Sequence, residues 1–128
     1  MKKQIAQVAH FHEVFKIGNE DIPIAQVGQD TFMLRFNLMK EENEEYLDAC
    51  RDGDLSEIAD ALGDQLYILF GTILKHGLQN KIEEIFEEIQ RSNLSKLDEN
   101  GNPIFREDGK ILKGQNYFKP NIKNILEE

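Results

Sequence analysis

The sequence predicts an all-α fold, an antiparallel bundle of four main helices followed by a C-terminal tail that contains a short hairpin. Apolar residues recur at intervals of three and four residues through most of the region 3–91. Glycines and helix-capping residues separate these periodic stretches. The region 93–120 changes character, because it is rich in turn signals and poor in apolar periodicity.

Local signals mark the ends of the predicted helices. Asp30 or Thr31 can cap the second helix, and Gly53 suits its end. Asp54 with Glu57 three residues later is a capping-box-like start for the third helix. Asn80 with Glu83 repeats that signal for the fourth. The four helices are therefore expected at about 3–16, 30–51, 54–76 and 81–91, with a loop at 17–29.

Helical-wheel positions predict which side of each central helix enters the core. In the second helix the expected core residues are Phe32, Phe36, Met39, Tyr46, Leu47 and Cys50. In the third they are Leu55, Ile58, Ala59, Leu62, Leu66, Leu69 and Ile73. In the tail, Asp108-Gly109 lies between two short apolar segments, 103–106 and 110–112, which predicts a small hairpin. Residues 121–127 are expected to form a last helical turn.

Composition limits the class of protein. A length of 128 residues fits one domain, 1–128, and 40% hydrophobic with 30% charged residues is typical of a globular protein. The net charge of -9 disfavours binding to nucleic-acid polymers, because the phosphate backbone would be repelled. The lack of a long apolar run or a signal-peptide pattern, together with the lone Cys50, predicts a cytoplasmic protein without membrane contact.

Acidic side chains lie beside the apolar arcs of both central helices. Glu42 and Glu45 share the flank of the second helix, and Glu57, Asp60 and Asp64 cluster on one side of the third. A short connection implies antiparallel packing, which sets Glu45 level with Asp60 and Glu42 level with Asp64. Converging carboxylates repel one another and need protons or cations, and their hard oxygens suit Mg²⁺ or Mn²⁺.

These acidic segments resemble the motifs of the MazG-like all-α nucleoside triphosphate pyrophosphohydrolases. The stretch 41–47 resembles the Glu-x-x-Glu motif, and Glu57-Ile58-Ala59-Asp60 fits the Glu-x-x-Asp motif. The run 60–67 also resembles the sequence around the motif aspartate, which would then be Asp64, with Ala61 in place of the motif glutamate. Both aspartates are therefore candidates. The tail segments 92–98 and 108–120 resemble the branch described as phosphoribosyl-ATP pyrophosphohydrolase-like.

The resemblance implies a function and a site. It implies Mg²⁺-dependent hydrolysis of a nucleoside triphosphate or related nucleotide between the α- and β-phosphates, in a homodimer that could pair further into a tetramer. A metal-activated water would be the nucleophile, with Glu41 or Glu45 as the base that accepts its proton. The expected metal ligands are Glu42, Glu45, Glu57, Asp60 and Asp64.

Substrate contacts are expected mainly from the tail, because the acidic helices cannot hold a polyphosphate unaided. The region 93–120 is expected to cover the nucleotide. Lysines and amides there can bind phosphate, Tyr117 can stack on a base, and Arg35 lies beside Glu42 on the wheel. The candidate substrate-binding residues are Arg35, Asn93, Lys96, Lys113, Asn116 and Tyr117.

Two other functions fit the acidic stripes less well. A carboxylate-bridged di-metal redox bundle would normally carry Glu-x-x-His pairs, but the third helix has no histidine before His76. A non-catalytic helical protein could use its acidic stripes to bind a basic partner. That second alternative predicts no dependence on Mg²⁺.

Overall fold

The computed structural model describes all residues 1–128 and is all-helical, as the sequence predicts. It divides into two compact units, residues 1–80 and 81–128. No helix combines the length and the apolar character that a membrane crossing would need. The five helices are α1 (Lys2–Val14), α2 (Gln29–Asp52), α3 (Leu55–Lys75), α4 (Ile82–Leu94) and α5 (Ile122–Leu126).

Helices α2 and α3 form an antiparallel hairpin, and its turn follows the predicted capping signals. Gly53 ends α2 in the left-handed conformation, with φ 64° and ψ 29°. Asp54 caps α3, because its carboxylate accepts a hydrogen bond from the backbone N–H of Glu57. Because this connection is short, the two helices pack against each other along their length.

The sides of α2 and α3 that meet within the chain are not the predicted ones. The contact buries Arg35 and Ala49 of α2 and Ala61 and Gly71 of α3. The prediction that the large apolar arcs form the core of this chain is therefore wrong for most of their residues. Exposed members of those arcs are Phe32, Phe36, Tyr46, Leu47, Cys50, Leu55, Ala59, Leu62, Leu66 and Leu69.

Small residues explain why the flanks rather than the arcs pack together. Ala49 and Ala61 are 6% and 2% exposed, so two short side chains lie where the helices meet nearest the turn. Further along, Gly71 leaves room for two polar side chains: a Cβ built there would lie 2.5 Å from Arg35 Nη2 and 2.9 Å from His12 Nε2. Close approach of the backbones compensates for the limited apolar area of these residues.

Helix α1 packs on α3 and is followed by a loop that is tied to the end of α3. The buried residues of α1 are Ile5, Val8 and His12. In the loop, the backbone N–H groups of Glu20 and Ile24 donate to the carbonyls of Leu74 and His76, at 3.0 and 2.9 Å. The residue after the C-cap, Gly77, has φ 66° and packs directly on the backbone of Ile22.

The second unit is built on α4. Lys81, rather than the predicted Asn80, is the N-cap of α4, and no side chain caps this helix. The predicted hairpin is reduced to one antiparallel bridge between Phe105 and Ile111 around the expected turn. Asn121 caps α5, which confirms the last helical turn.

Ser92 of α4 and Ser95, the C-cap of that helix, anchor the returning tail. Ser92 Oγ donates to the carbonyl of Phe118 at 2.8 Å, and the N–H of Phe118 donates to Ser95 Oγ at 3.2 Å. The guanidinium of Arg91 lies over the Phe118 ring, 4.5 Å from its centroid. The tail is thus a folded segment packed on its own helix.

Gly77 and Gly53 provide a matched test of this packing. Both have positive φ, but a Cβ at Gly77 would lie 2.2 Å from the carbonyl oxygen of Ile22, whereas nothing lies within 4 Å of one at Gly53. We expect Gly53→Ala to cost about 1 kcal/mol of unfolding free energy, the strain of a left-handed alanine. Gly77→Ala should cost clearly more, because the loop must also move. Urea denaturation of both variants measures the difference, and equal losses would contradict the role given to Gly77.

Candidate metal and active site

Three carboxylates meet where α2 faces α3. Glu42, Glu45 and Asp64 each offer an oxygen, and the three oxygens lie within 4.8 Å of one another. Glu42 and Glu45 are one turn apart on α2, so helical periodicity points both towards the same part of α3. The antiparallel hairpin brings Asp64 to the same height along the helix axes as these two glutamates. The sequence predicts the same pairing of Glu42 with Asp64.

Desolvation, together with neighbouring negative charge, raises the pKa of two members of this group. The pKa of Glu42 rises to about 7, because its carboxyl is partly desolvated, hydrogen-bonds to Glu45 and faces the charges of Asp64, Glu45 and Asp60. The pKa of Asp64 is also raised, first by desolvation and then by the charges of Asp60 and Glu45. The negative charge of these carboxylates is therefore not fully compensated by the protein itself.

The remaining predicted ligands lie beside this group. Glu45, Glu57 and Asp60 line a cleft of roughly 290 Å³ that opens towards the turn between α2 and α3. Asp48 and Asp52 line the same cleft and were missed by the sequence analysis, although their helical spacing from Glu45 could have revealed them. Of the two candidate aspartates, Asp64 is the one grouped with both Glu42 and Glu45.

The donor set fits a hard divalent cation. Oxygen Oε2 of Glu42 is buried and has no hydrogen-bond partner, which is costly for a carboxylate unless a proton or cation meets it. Carboxylate oxygens at this spacing, with no sulfur or imidazole among them, suit Mg²⁺ or Mn²⁺. Glu42, Glu45 and Asp64 are the residues that could hold the ion.

Two other predicted site residues of α2 lie in different surroundings. Glu41 is exposed, next to Glu42 in the chain. Arg35 is 8% exposed, and its guanidinium donates to Thr72 Oγ1 at 3.0 Å and to the Ile68 carbonyl at 2.7 Å. The hydrogen bonds of Arg35 therefore go to α3, and its predicted contact with substrate stays a prediction.

The predicted tail residues lie in the second unit, where the fold brings some of them together. Gly114 N–H donates to the carbonyl of Lys96 at 2.9 Å, so the segment that carries Lys113 returns to the end of α4. The ammonium of Lys113 lies over the ring of Tyr117, 4.8 Å from its centroid. Asn93 and Asn116 are exposed. Substrate binding by these residues stays a prediction.

Two of the three histidines, His12 and His76, form hydrogen bonds away from the carboxylates. His12 Nδ1 donates to Asn19 Oδ1 at 2.6 Å, and His76 Nδ1 donates to the Ile24 carbonyl at 2.9 Å, each with its ring tautomer assigned from the acceptor it faces. Burial lowers the pKa of His12 below its ordinary value. No histidine joins the carboxylate group, which disfavours the Glu-x-x-His pattern of a di-metal redox bundle.

Comparison with known proteins identifies the family of this chain. The model of the phosphoribosyl-ATP pyrophosphohydrolase family matches residues 8–93, which include α2, α3 and all five predicted metal ligands. The chain belongs to this family. Membership of the phosphoribosyl-ATP pyrophosphohydrolase family confirms the resemblance predicted from the acidic motifs.

A viral protein shares part of the sequence. The chain is 36% identical over 70 residues to a protein described as uncharacterized protein L479 of Acanthamoeba polyphaga mimivirus. The match covers 55% of this chain and 28% of the viral protein, so the chain spans under a third of that relative's length.

The raised pKa of Glu42 predicts how stability depends on pH. In metal-free protein, Glu42 titrates near pH 7 when folded but near its ordinary value of about 4.5 when unfolded. Between these values the folded state binds more protons, so Glu42 lowers stability as the pH rises through this window. Glu42→Gln should therefore raise the melting temperature at pH 8 by a few degrees, on the order expected for ~1 kcal/mol, with little change at pH 4.

Thermal unfolding in excess chelator measures this effect. Glu44→Gln is the matched control, because Glu44 is an exposed carboxylate of the same helix outside the cluster. Equal behaviour of the two variants at pH 8 would show that the cluster imposes no charge repulsion.

Proposed function

We propose that this protein is a Mg²⁺-dependent nucleotide pyrophosphohydrolase that cleaves a nucleoside triphosphate, or a related nucleotide, between the α- and β-phosphates. The observation that carries this proposal is the convergence of Glu42, Glu45 and Asp64 within 4.8 Å, with one buried oxygen left without a partner. A family of pyrophosphohydrolases supplies the reaction class. Mn²⁺ is the expected substitute metal, because it accepts the same oxygen ligands.

The residues of the cluster divide into two roles. Glu42, Glu45 and Asp64 would hold the ion, and Glu57 and Asp60 line the adjoining cleft where further oxygen ligands are available. When bound, Mg²⁺ neutralises phosphate oxygens and lowers the pKa of water. Glu41 or Glu45 is proposed to accept the proton of the attacking water.

The reaction follows from these roles. The water oxygen bonds to a phosphorus atom of the α–β bridge, the phosphorus–oxygen bond of that bridge breaks, and monophosphate and pyrophosphate leave. The net charge of -9 means that cations other than the metal must help to bind the substrate. We propose that Lys96 and Lys113 meet the phosphates, with Asn93 and Asn116 as amide donors and Tyr117 as a surface for the base.

Asp64→Asn tests the proposed chemistry. Asparagine keeps the shape but removes a ligand charge, so we expect pyrophosphate release to fall about a hundredfold or more, because metal stabilisation of phosphate charge is worth several kcal/mol. The assay incubates the protein with a panel of nucleoside triphosphates, related nucleotides and Mg²⁺ and measures pyrophosphate. Excess chelator should abolish the activity of the wild-type protein.

Glu44→Gln serves as the control and should keep the wild-type rate. Full activity in chelator would overturn the metal mechanism, and a wild-type rate in Asp64→Asn would move the site elsewhere. A protein that releases no pyrophosphate from any nucleotide, yet binds a basic partner, would favour the non-catalytic alternative.

We also propose that the active form is a homodimer built on the exposed apolar face of α2 and α3. This face consists of Phe32, Phe36, Leu47, Leu62, Leu66 and Leu69, each of them 45–60% exposed. The α2 part adjoins the α3 part, since Phe36, Met39 and Asn43 of α2 line one cleft with Gln65 of α3. Continuous apolar patches of this kind mark association surfaces.

A second copy of the chain is the occupant that fits best. Helices of 24 and 21 residues side by side present a face of roughly 30 by 20 Å. That is comparable in size to the roughly 800 Å² that each partner contributes to a standard interface. Two copies related by a twofold axis would cover the same apolar face on each other. Pairing of two dimers into a tetramer is a further option, which the same measurement reports.

Phe36→Glu tests the dimer. A buried charge on the interface should dissociate it, so sedimentation should change from a mass of two 14.8 kDa chains to one. Leu34→Glu is the matched control, because Leu34 is 56% exposed on the opposite side of α2, and this variant should stay dimeric. A wild-type protein that sediments as a monomer at micromolar concentration would contradict the proposal.

A further inference from the structure

Arg35 is a buried cation in the contact between α2 and α3. Its side chain spans one turn of α3, because Nη2 donates to the carbonyl of Ile68 and Nε donates to the hydroxyl of Thr72 four residues later. Thr72 Oγ1 in turn donates to the same Ile68 carbonyl at 3.1 Å. The guanidinium is therefore attached to a defined turn of α3 by two hydrogen bonds of fixed relative direction.

Burial of the Arg35 guanidinium between α2 and α3 costs free energy. The structure pairs the Arg35 guanidinium with neutral oxygens and with no carboxylate, and only burial shifts its pKa, which is lowered. A buried charge without an opposite charge costs more than an apolar side chain of similar volume would. The guanidinium adds directional hydrogen bonds. A rotation of α2 by one residue, or a shift of α2 along α3, would break both of them.

The position of Arg35 relates this attachment to the carboxylates. Arg35 precedes Glu42 by seven residues, about 10.5 Å along α2, and Ile68 follows Asp64 by one turn of α3. Towards the turn, the buried side chains that follow Glu45 in α2 and precede Asp64 in α3 are the short ones of Ala49 and Ala61. The hydrogen-bonded attachment at Arg35 therefore lies on the side of the cluster away from the turn.

We propose that Arg35 is a positioning residue, which sets the register of α2 on α3 and thereby holds Glu42 and Glu45 opposite Asp64 in the spacing that binds a divalent cation. This inference rests on the metal site of the proposed function and gives Arg35 a role other than contact with substrate. Short buried side chains such as Ala49 and Ala61 allow the helices to lie close together. Apolar packing of short side chains does not select one register as strictly as directional hydrogen bonds do.

Gly71 makes the inference testable without removing the guanidinium. A Cβ at Gly71 would lie 2.5 Å from Arg35 Nη2 and 3.2 Å from Arg35 Cζ, so Gly71→Ala must displace the arginine side chain. The same Cβ would lie 2.9 Å from His12 Nε2. Arg35→Met and Gly71→Ala thus disturb one attachment in two different ways, the first by deleting its donors and the second by moving them.

The experiment measures Mn²⁺ binding by electron paramagnetic resonance, together with thermal unfolding in chelator. The variants are Arg35→Met, Arg35→Lys, Gly71→Ala and the Arg35→Met/Gly71→Ala double variant. Val8→Ala is the control, because Val8 is a buried residue of α1 that contributes stability but lies outside the contact between α2 and α3. Each variant uses the full chain.

We expect Arg35→Met and Gly71→Ala each to weaken Mn²⁺ binding roughly tenfold or more, the range typical of residues that orient metal ligands. Arg35→Lys should recover part of the affinity, since an ammonium can reach one of the two acceptors. The double variant should lose about as much affinity as either single variant, because both act on one attachment. Val8→Ala should lower the melting temperature but keep Mn²⁺ affinity within about twofold.

Wild-type Mn²⁺ affinity in folded Arg35→Met and Gly71→Ala would overturn the positioning role. An equal loss in Val8→Ala would also overturn it, because general destabilisation would then explain the effect. Unchanged Mn²⁺ affinity with a raised KM for the nucleotide would instead assign Arg35 to the substrate. If the wild-type protein bound no Mn²⁺, the proposed metal site itself would be wrong, and the positioning role with it.

Discussion

The close packing of α2 on α3 is the constraint on which the rest of this structure depends. Ala49 and Ala61 are short, buried side chains of these helices, and one oxygen each of Glu42, Glu45 and Asp64 lies within 4.8 Å of the other two. Carboxylates at this spacing repel, so the packing that stabilises the hairpin also creates the electrostatic demand of the site. Desolvation, together with this repulsion, raises the pKa of Glu42 and of Asp64, and a proton or a cation would neutralise the charge.

The same packing decides what the outer surface of the hairpin looks like. Because the small and polar flanks of α2 and α3 face each other, the large side chains of both helices remain outside, Leu66 at 53% and Phe36 at 60% exposure. A single chain thus exposes the most apolar faces of these two helices, whereas folded proteins usually bury such faces. The partner proposed to cover the apolar face would contact the same two helices that carry the carboxylates.

Much of the fold follows from neighbouring residues alone. The ends of α2 and α3 were predictable because Gly53 and Asp54 act on groups within one turn of themselves. The start of α4 was not predictable in this way. The signal at Asn80 and Glu83 placed the N-cap at Asn80, but the N-cap is Lys81 and no side chain caps the helix. The hairpin expected around Asp108 and Gly109 shrank to one bridge, because the short segments beside that turn offer few residues to pair.

The sequence by itself determined the class of fold, the acidic stripes and the family resemblance, because helical period, caps and motif spacing are properties of residues near one another in the chain. Only the tertiary structure decided which side of each helix turns inward, that Asp64 rather than Asp60 groups with both glutamates, and that Arg35 is buried against Ile68 and Thr72. A helical wheel ranks faces by hydrophobicity, and two faces of α2 and α3 could have packed. The choice of packing face depended on how closely the two helix backbones can approach each other. That distance is a property of the pair of helices and cannot be read from either helix sequence alone.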